Sequence, residues 1–352
     1  MERKNEGENS PGNKVIGIKA WKGAGAYIAC NGYVLIFSLW AIVVFGFIAV
    51  SFTRNTGVAI KTQIAFTERV KDIYAARGAG IYAIQRLLSK EQEKAGTDGR
   101  IEKLKKNRGT NTSKKLPGSV PWVPSNSPYS TRIGDRNCEV LISDESGKIN
   151  VNKITDDTKT GFIKFLTAHK LEELVAETIT DSILDWLDED DLHHINGAEK
   201  DFYATLPEPY EPKNGPFESI EELVLVKGIT PQIFELLRDH LTIYGSGKIN
   251  INFASREVLL SVPGMPLEMA EAIVQLRKKR GKIKKLSTLK EIFRHFGVVG
   301  KDYQEIMEYL TIDDSNYITI NSVASSGKMK NSYKFLVHKG VGHCKIIAAY
   351  PE

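Results

Sequence analysis

Between Asp185 and Tyr203 the chain reads DWLDEDDLHHINGAEKDFY. Five carboxylates, Asp185, Asp188, Glu189, Asp190 and Asp191, fall within seven residues, and Glu199 follows the Asn196-Gly197 turn. Unpaired, these charges repel one another, and a hard cation would relieve the repulsion. Calcium takes six to eight oxygen ligands, which close-set carboxylates around a glycine turn can supply. The spacing is not that of an EF-hand. A solvated acidic helix end would carry the same residues, although acids at a helix C-terminus oppose the dipole. Chemistry alone leaves both readings open. His193 and His194 adjoin the cluster, but neighbouring loop histidines point in different directions and suit a surface better than a transition-metal site.

A second stretch with chemical content is LLSVPGMPLEMAEAIVQLRKKRGKIKKLSTL, Leu259–Leu289. It has the pattern of a helix-hairpin-helix, a module that often binds DNA phosphates through N–H groups of a Gly-x-Gly turn. Here Pro266 stands at the second glycine and removes a donor. Against that, Arg277–Lys285 holds seven basic residues in nine, a patch able to meet phosphates or anionic lipid. The net charge of +5 over 352 residues is too small to argue for a nucleic-acid protein by itself. No Walker loop, GxSxG, HExxH or dinucleotide fingerprint occurs, so no catalytic residue is assigned and no enzyme is expected. The cysteines are Cys30, Cys138 and Cys344, with no CxxC pair. A disulfide between Cys138 and Cys344 depends on export and on strand register.

These groups need elements to position them. No charge occurs from Gly23 to Phe52, and Tyr33–Phe52 is as long as a bilayer core requires. Lys14, Lys19 and Lys22 precede it, which keeps that end cytoplasmic and exports the rest. Helical spacing of apolar residues continues through Ile64, Val70, Ile73, Tyr74, Ile81, Ile84 and Leu88, with Gly78 and Gly80 marking a kink or a close approach. Residues 96–137 read as a long loop rich in Lys, Gly, Ser and Pro. Cys138–Lys153 reads as a hairpin turning at DESG. Helical patterns then fill the chain to about Asp313. Among them is a capping box at Ser219–Glu222 and an N-cap with proline at Thr230-Pro231. Strand-like text returns after Asp313 and completes a sheet with Cys138–Ser143. The phrases SGKINVNK (Ser146–Lys153) and SGKININF (Ser246–Phe253) mark the seams. Their flanks match only loosely, so each is expected to be a glycine turn feeding a short strand, with the two strands close together and paired.

Asn31–Phe37, NGYVLIF, resembles the processing site of type IV pilin-like proteins, with cleavage between Gly32 and Tyr33 and methylation of the new terminus. The leader is long, and Phe37 stands where most such proteins carry a glutamate. A carboxylate there is costly in lipid without a partner, and its absence suits an end of a fibre. DESGKINVN, the acidic stretch above, NGPFESIEELVLVKGITPQIFELL and GKININFASREVLLSVPGM together resemble the minor pseudopilin K family of type II secretion.

The resemblance implies an α+β fold. A transmembrane, pilin-like long helix with an antiparallel sheet is interrupted by a large all-α insertion of two helix-hairpin-helix, SAM-like subdomains. The expected divisions are a leader (1–32), the helix (33–95), loop and strands (96–153), the first subdomain (154–245), the second (246–313) and closing strands (314–352). It also implies calcium held by Asp188, Asp190, Asp191 and Glu199, with Asp185 a weaker candidate. The implied partners are minor pseudopilins I and J, the major pseudopilin, the prepilin peptidase and secreted substrates. The implied place is the inner membrane, spanned once, with the soluble part in the periplasm at the tip of a pseudopilus. A membrane-anchored DNA receptor of the competence type is the rival reading.

Overall fold

A computed structural model describes residues 30–96, 122–125, 127–327, 329–340 and 343–352. Residues 1–29 of the expected leader (1–32) and most of the expected loop lie outside the described residues. The molecule divides into two units after Thr67.

Helix α1, Cys30–Gly96, runs through both assigned stretches without interruption. Its apolar part, from Tyr33, has a mean hydropathy of 2.6 over its best window and none of that window is buried. Over such a length the helix satisfies its own backbone, which is what a bilayer demands.

In the second unit, α1 lies on a five-stranded antiparallel sheet of order β1-β2-β7-β8-β9. The strands are β1 (Tyr129–Ile133), β2 (Arg136–Asp144), β7 (Tyr317–Ser326), β8 (Met329–Gly340) and β9 (His343–Pro351). The expected pairing of Cys138–Ser143 with C-terminal text holds, as Ile142 faces Ile320. The buried face of α1 is made of small residues, Ala75, Ala76, Ala79 and Ala83, with Ile84 and Leu87. Tyr74 and Ile81, expected in the stripe, point outward, Tyr74 at 65% exposure. The cause is close approach. A Cβ at Gly80 would strike the edge of the Phe335 ring, and one at Gly78 would lie 3.3 Å from Ile133. Asp72 of the same face is buried and ion-paired to Arg136 at 3.1 Å.

Two expectations about strands are corrected. DESG is not a hairpin turn. Asp144 accepts from Ser146 N at 2.9 Å and from Ser315 N at 2.9 Å, so it turns the chain out of the sheet while holding the returning strand. Burial pushes its carboxyl up to about 6. The hairpin partner of β2 is instead β1, inside the stretch read as loop. Its lone aromatic, Tyr129, stacks on Trp122. Further, β2 and β9 are separated by β7 and β8, three strand spacings or about 14 Å. That is about twice what a disulfide spans, so Cys138 and Cys344 cannot bridge.

Between β2 and β7 stands the helical block with its own core. It contains β3 (Ile149–Asn150), α2 (Asp156–Ala168), α3 (Glu173–Leu187), α4 (Lys200–Tyr203), α5 (Pro231–Leu237) and β4 (Leu241–Thr242). Then come β5 (Ile249–Asn250), α6 (Arg256–Leu260), α7 (Leu267–Arg280), α8 (Lys290–His295), α9 (Gly300–Glu308) and β6 (Leu310–Thr311). Ile220–Leu225, which carries the capping box, is a 3-10 helix.

The twin phrases do not pair with each other. β3 pairs in parallel with β4, and β5 with β6, each closing its own half of the block. The halves repeat one design. Asn152 bonds both the N and O of Phe217, and Asn252 bonds both the N and O of Ile283. Asn150 donates to Gly245 O and Asn250 to Asp313 O. The expected closeness holds in a reciprocal form. A Cβ at Gly147 would meet Phe253, and one at Gly247 would meet Lys153. Gly247 also takes a φ of +86°, which a side chain would strain.

Candidate metal centre

The acidic stretch starts inside α3. Its apolar spacing buries Ile179, Ile183, Leu184 and Trp186, and the same face carries Asp181 and Asp185, one turn apart. Asp188 caps the helix C-terminus. Two devices fold the following loop back over these acids. Asp181 accepts from Asn196 N at 3.1 Å and pairs with Lys159 at 2.5 Å. Lys227 donates to the carbonyls of Asn196 and Gly197, at 3.2 and 2.8 Å. Gly197 then lies against Asp185, and any Cβ there would strike the carboxylate. Below the loop, Trp186 stacks on Phe217 and meets Tyr203 edge-on.

Asp185, the weaker candidate on sequence, sits at the centre and is 0% exposed. One oxygen accepts from His194 N at 3.0 Å and contacts the His194 Nδ1. Its other oxygen has no hydrogen-bond partner among the described residues, nor has Asp188 Oδ1. Glu199 is 2% exposed, and neither of its oxygens is bonded among the described residues. Ligand atoms of Asp185, Asp188 and His194 lie within 4.8 Å of one another. Asp190 and Asp191 are exposed, and Asp190 accepts from Leu192 N at 2.8 Å. Of the expected four, then, Asp188 and Glu199 face the centre with orphaned oxygens, while Asp190 and Asp191 stand at its rim.

The electrostatics follow from this crowding. Burial, then the charges of Asp185, Asp188, Asp191 and Asp190, push Glu199 up to about 7. Burial, Asp190 and Asp185 push Asp188 up to about 6. Burial opposes a charged His194, but Asp185 outweighs it and the imidazole titrates above its ordinary value. Buried carboxylates without partners cost free energy. A divalent cation would supply what these oxygens lack, and the carboxylates of Asp185, Asp188 and Glu199 suit a hard ion such as calcium or magnesium. Sequence reading missed Lys227, Lys159 and the role of His194. The i,i+4 pair Asp181–Asp185 on an apolar face was the signal available for the first turn.

Residues 147–246, which hold the whole centre, match the family model described as "Type II secretion system (T2SS), protein K". Residues 245–298 match a helix-hairpin-helix motif. The type II secretion system protein K of Pectobacterium carotovorum is 36% identical over 113 residues, 30% of this chain and 34% of the relative. That of Pseudomonas aeruginosa is 24% identical over 225 residues, 59% of this chain and 67% of the relative. The alignment thus spans about a third of the first relative's length. Over residues 147–246 the chain is thus similar to the protein K family. A chain from the crystal structure of the GspK-GspI-GspJ complex of enterotoxigenic Escherichia coli matches with a TM-score of 0.56. It is 16% identical and covers 84% of this chain and 99% of that one. At that identity the match speaks for the fold.

The helix-hairpin-helix is packed into the block. The turn from Ser261 to Pro266 contains two prolines, and the N–H groups of Ser261, Val262 and Met265 bond back to Val258, Leu259 and Val262. Gly161 of α2 lies directly on the Ser261 carbonyl, closer than any Cβ allows. Little of that turn remains to hold a phosphate.

Proposed function

We propose that the chain is a minor pseudopilin of type II secretion that sits at the tip of the periplasmic pseudopilus. One observation carries the reading: a bulky two-part helical block stands between β2 and β7 of a helix-on-sheet domain. Pilin-type fibres grow by packing successive apolar helices, and such a block would obstruct a further subunit above this one. The exposed Tyr74 and Ile81 on α1 leave a face for neighbouring helices. The solved relative belongs to a complex of GspK with GspI and GspJ, so the partners proposed here are this cell's own pseudopilins I and J, with the major pseudopilin below. The role is assembly rather than catalysis.

Processing between Gly32 and Tyr33 by a prepilin peptidase, with methylation of Tyr33, belongs to the same reading. So does an inner-membrane anchor with the soluble part in the periplasm. Asp185, Asp188 and Glu199 would hold calcium, with Asp190 or Asp191 reaching in from the rim. The ion would neutralise the cluster and fix the loop after α3. The rival DNA-receptor reading is disfavoured by the occupied hairpin turn. Deleting the gene tests the role: secretion should fail and pseudopili should change in length. Normal secretion with unchanged pseudopili would sink it.

A further inference from the structure

Residues 277–301 contain ten Lys or Arg against one acid, Glu291. The segment therefore carries +9 in a chain of net +5, leaving −4 for all other residues together. The basicity that looked modest in bulk is concentrated in one place. It covers the last turn of α7, the loop to α8, α8 itself, the loop to α9 and the first residues of α9, and α7 packs against α8.

Arg277 is the exception in orientation. It turns inward and donates to the carbonyls of Ile251 and Ala254, the former at 2.9 Å. The other nine are exposed. Lys282 pairs with Asp314 and Lys301 with Glu305. Among the described residues, Lys278, Lys279, Arg280, Lys284, Lys285, Lys290 and Arg294 enter no ion pair. Cations in the last turn of α7 complement its dipole, but that accounts for four of the ten at most.

Two further features accompany the charge. The turn from the end of α8 to the start of α9, RHFGVVGK (Arg294–Lys301), places Phe296 at 37% and Val299 at 57% exposure beside two glycines of positive φ, with cations at both ends. A cavity of about 400 Å³ opens beside Lys278 and Lys282, walled by the hydroxyl residues Ser125 and Ser127. Cations around an apolar loop tip, beside a polar recess, suit a surface that is anionic outside and apolar a few ångströms in.

We infer that this face docks on a bilayer containing anionic phospholipid, with Phe296 and Val299 entering the headgroup boundary and the lysines on the phosphates. A nucleic acid fits less well. Of the aromatics in the segment, Phe293 is buried and Phe296 alone is exposed, which gives no stacking row. The hairpin turn is already bonded and lies at the other end of α7, about 20 Å away along 14 residues. The inference does not depend on the pseudopilin reading.

The test uses the full chain held in nanodiscs of pure phosphatidylcholine, so that its own helix is already housed. Separate vesicles with or without phosphatidylglycerol are added, and capture is followed by co-sedimentation. In parallel, hydrogen exchange of residues 294–301 is read with phosphatidylglycerol in the nanodisc itself, which covers docking on the chain's own bilayer. Anionic lipid should give capture or slowed exchange, reversed by salt. Each lysine among Lys278, Lys279, Lys284 and Lys285 changed to Gln should weaken the response roughly fivefold. Val299→Ser should weaken it without altering its salt dependence. An unchanged response in the fourfold Gln variant, no response to anionic lipid, or retention by duplex DNA alone would overturn the inference. A melting temperature equal to that of the parent chain shows that each variant is folded.

Discussion

Glu199 and Asp185 make opposite demands with and without a cation, and this crossing is testable. Glu199→Gln removes a buried, repelled charge, so the metal-free protein should melt higher than the parent. The same change should abolish most of the gain on adding calcium. Asp190→Asn, at the exposed rim, should change both by far less. Gly197→Ala should cost stability with and without calcium, since its Cβ strikes Asp185. Differential scanning fluorimetry of stripped and calcium-loaded protein reads all three. The pH dependence has a definite sign. Glu199 and Asp188 are raised to about 7 and 6 from 4.5 and 3.8. The folded metal-free state therefore binds more protons than the unfolded chain between about pH 4 and 7. Metal-free stability should fall as pH rises through that window, and the calcium-induced gain should shrink as pH drops from 8 to 5. A calcium shift independent of pH would contradict the assignment. At this scale the sequence announced an acidic site through composition, but not which acids turn inward. That choice depends on Lys227 and Gly197 folding the loop, and such long-range bonds leave no local spacing.

Among elements, the two halves of the helical block stand on equivalent asparagines. Asn252→Ala would strip both hydrogen bonds from the buried Ile283 backbone and cost about 3 kcal/mol. Asn152→Ala should cost somewhat less, because Asn152 is more exposed. Urea denaturation of each variant checks the order, and equal small losses would show that the seams are not held this way. The repeat was half legible. SGKIN announced itself twice, and Leu241-Thr242-Ile243 returns as Leu310-Thr311-Ile312, but the pairing partner of each strand lies across a whole subdomain. The sheet was read correctly at β2 and β7, where alternation is strong. It was missed at β1, whose five residues YSTRI look like loop text and become a strand by pairing with β2. On α1 the apolar stripe misled, because packing against Phe335 selects small residues and leaves larger ones outward.

At the scale of the whole molecule, the inserted block between β2 and β7 is what the proposed place at the end of a fibre rests on. The sheet separates Cys138 from Cys344, so reducing agent should leave the melting temperature unchanged; a fall of several degrees would mean the strand order is wrong. The absence of a carboxylate at Phe37 was legible from the first 40 residues, whereas the argument for an obstructing block required the fold. Both lead to the central claim, that this chain closes a pseudopilus. The most direct measurement is co-purification of the tagged full chain, in calcium, with the pseudopilins I and J of its own cell, followed by mass determination of the eluted species. The account predicts a stoichiometric complex of the three in which this chain occurs once. Elution of the chain alone, or as a homopolymer with several copies in one fibre, would contradict it.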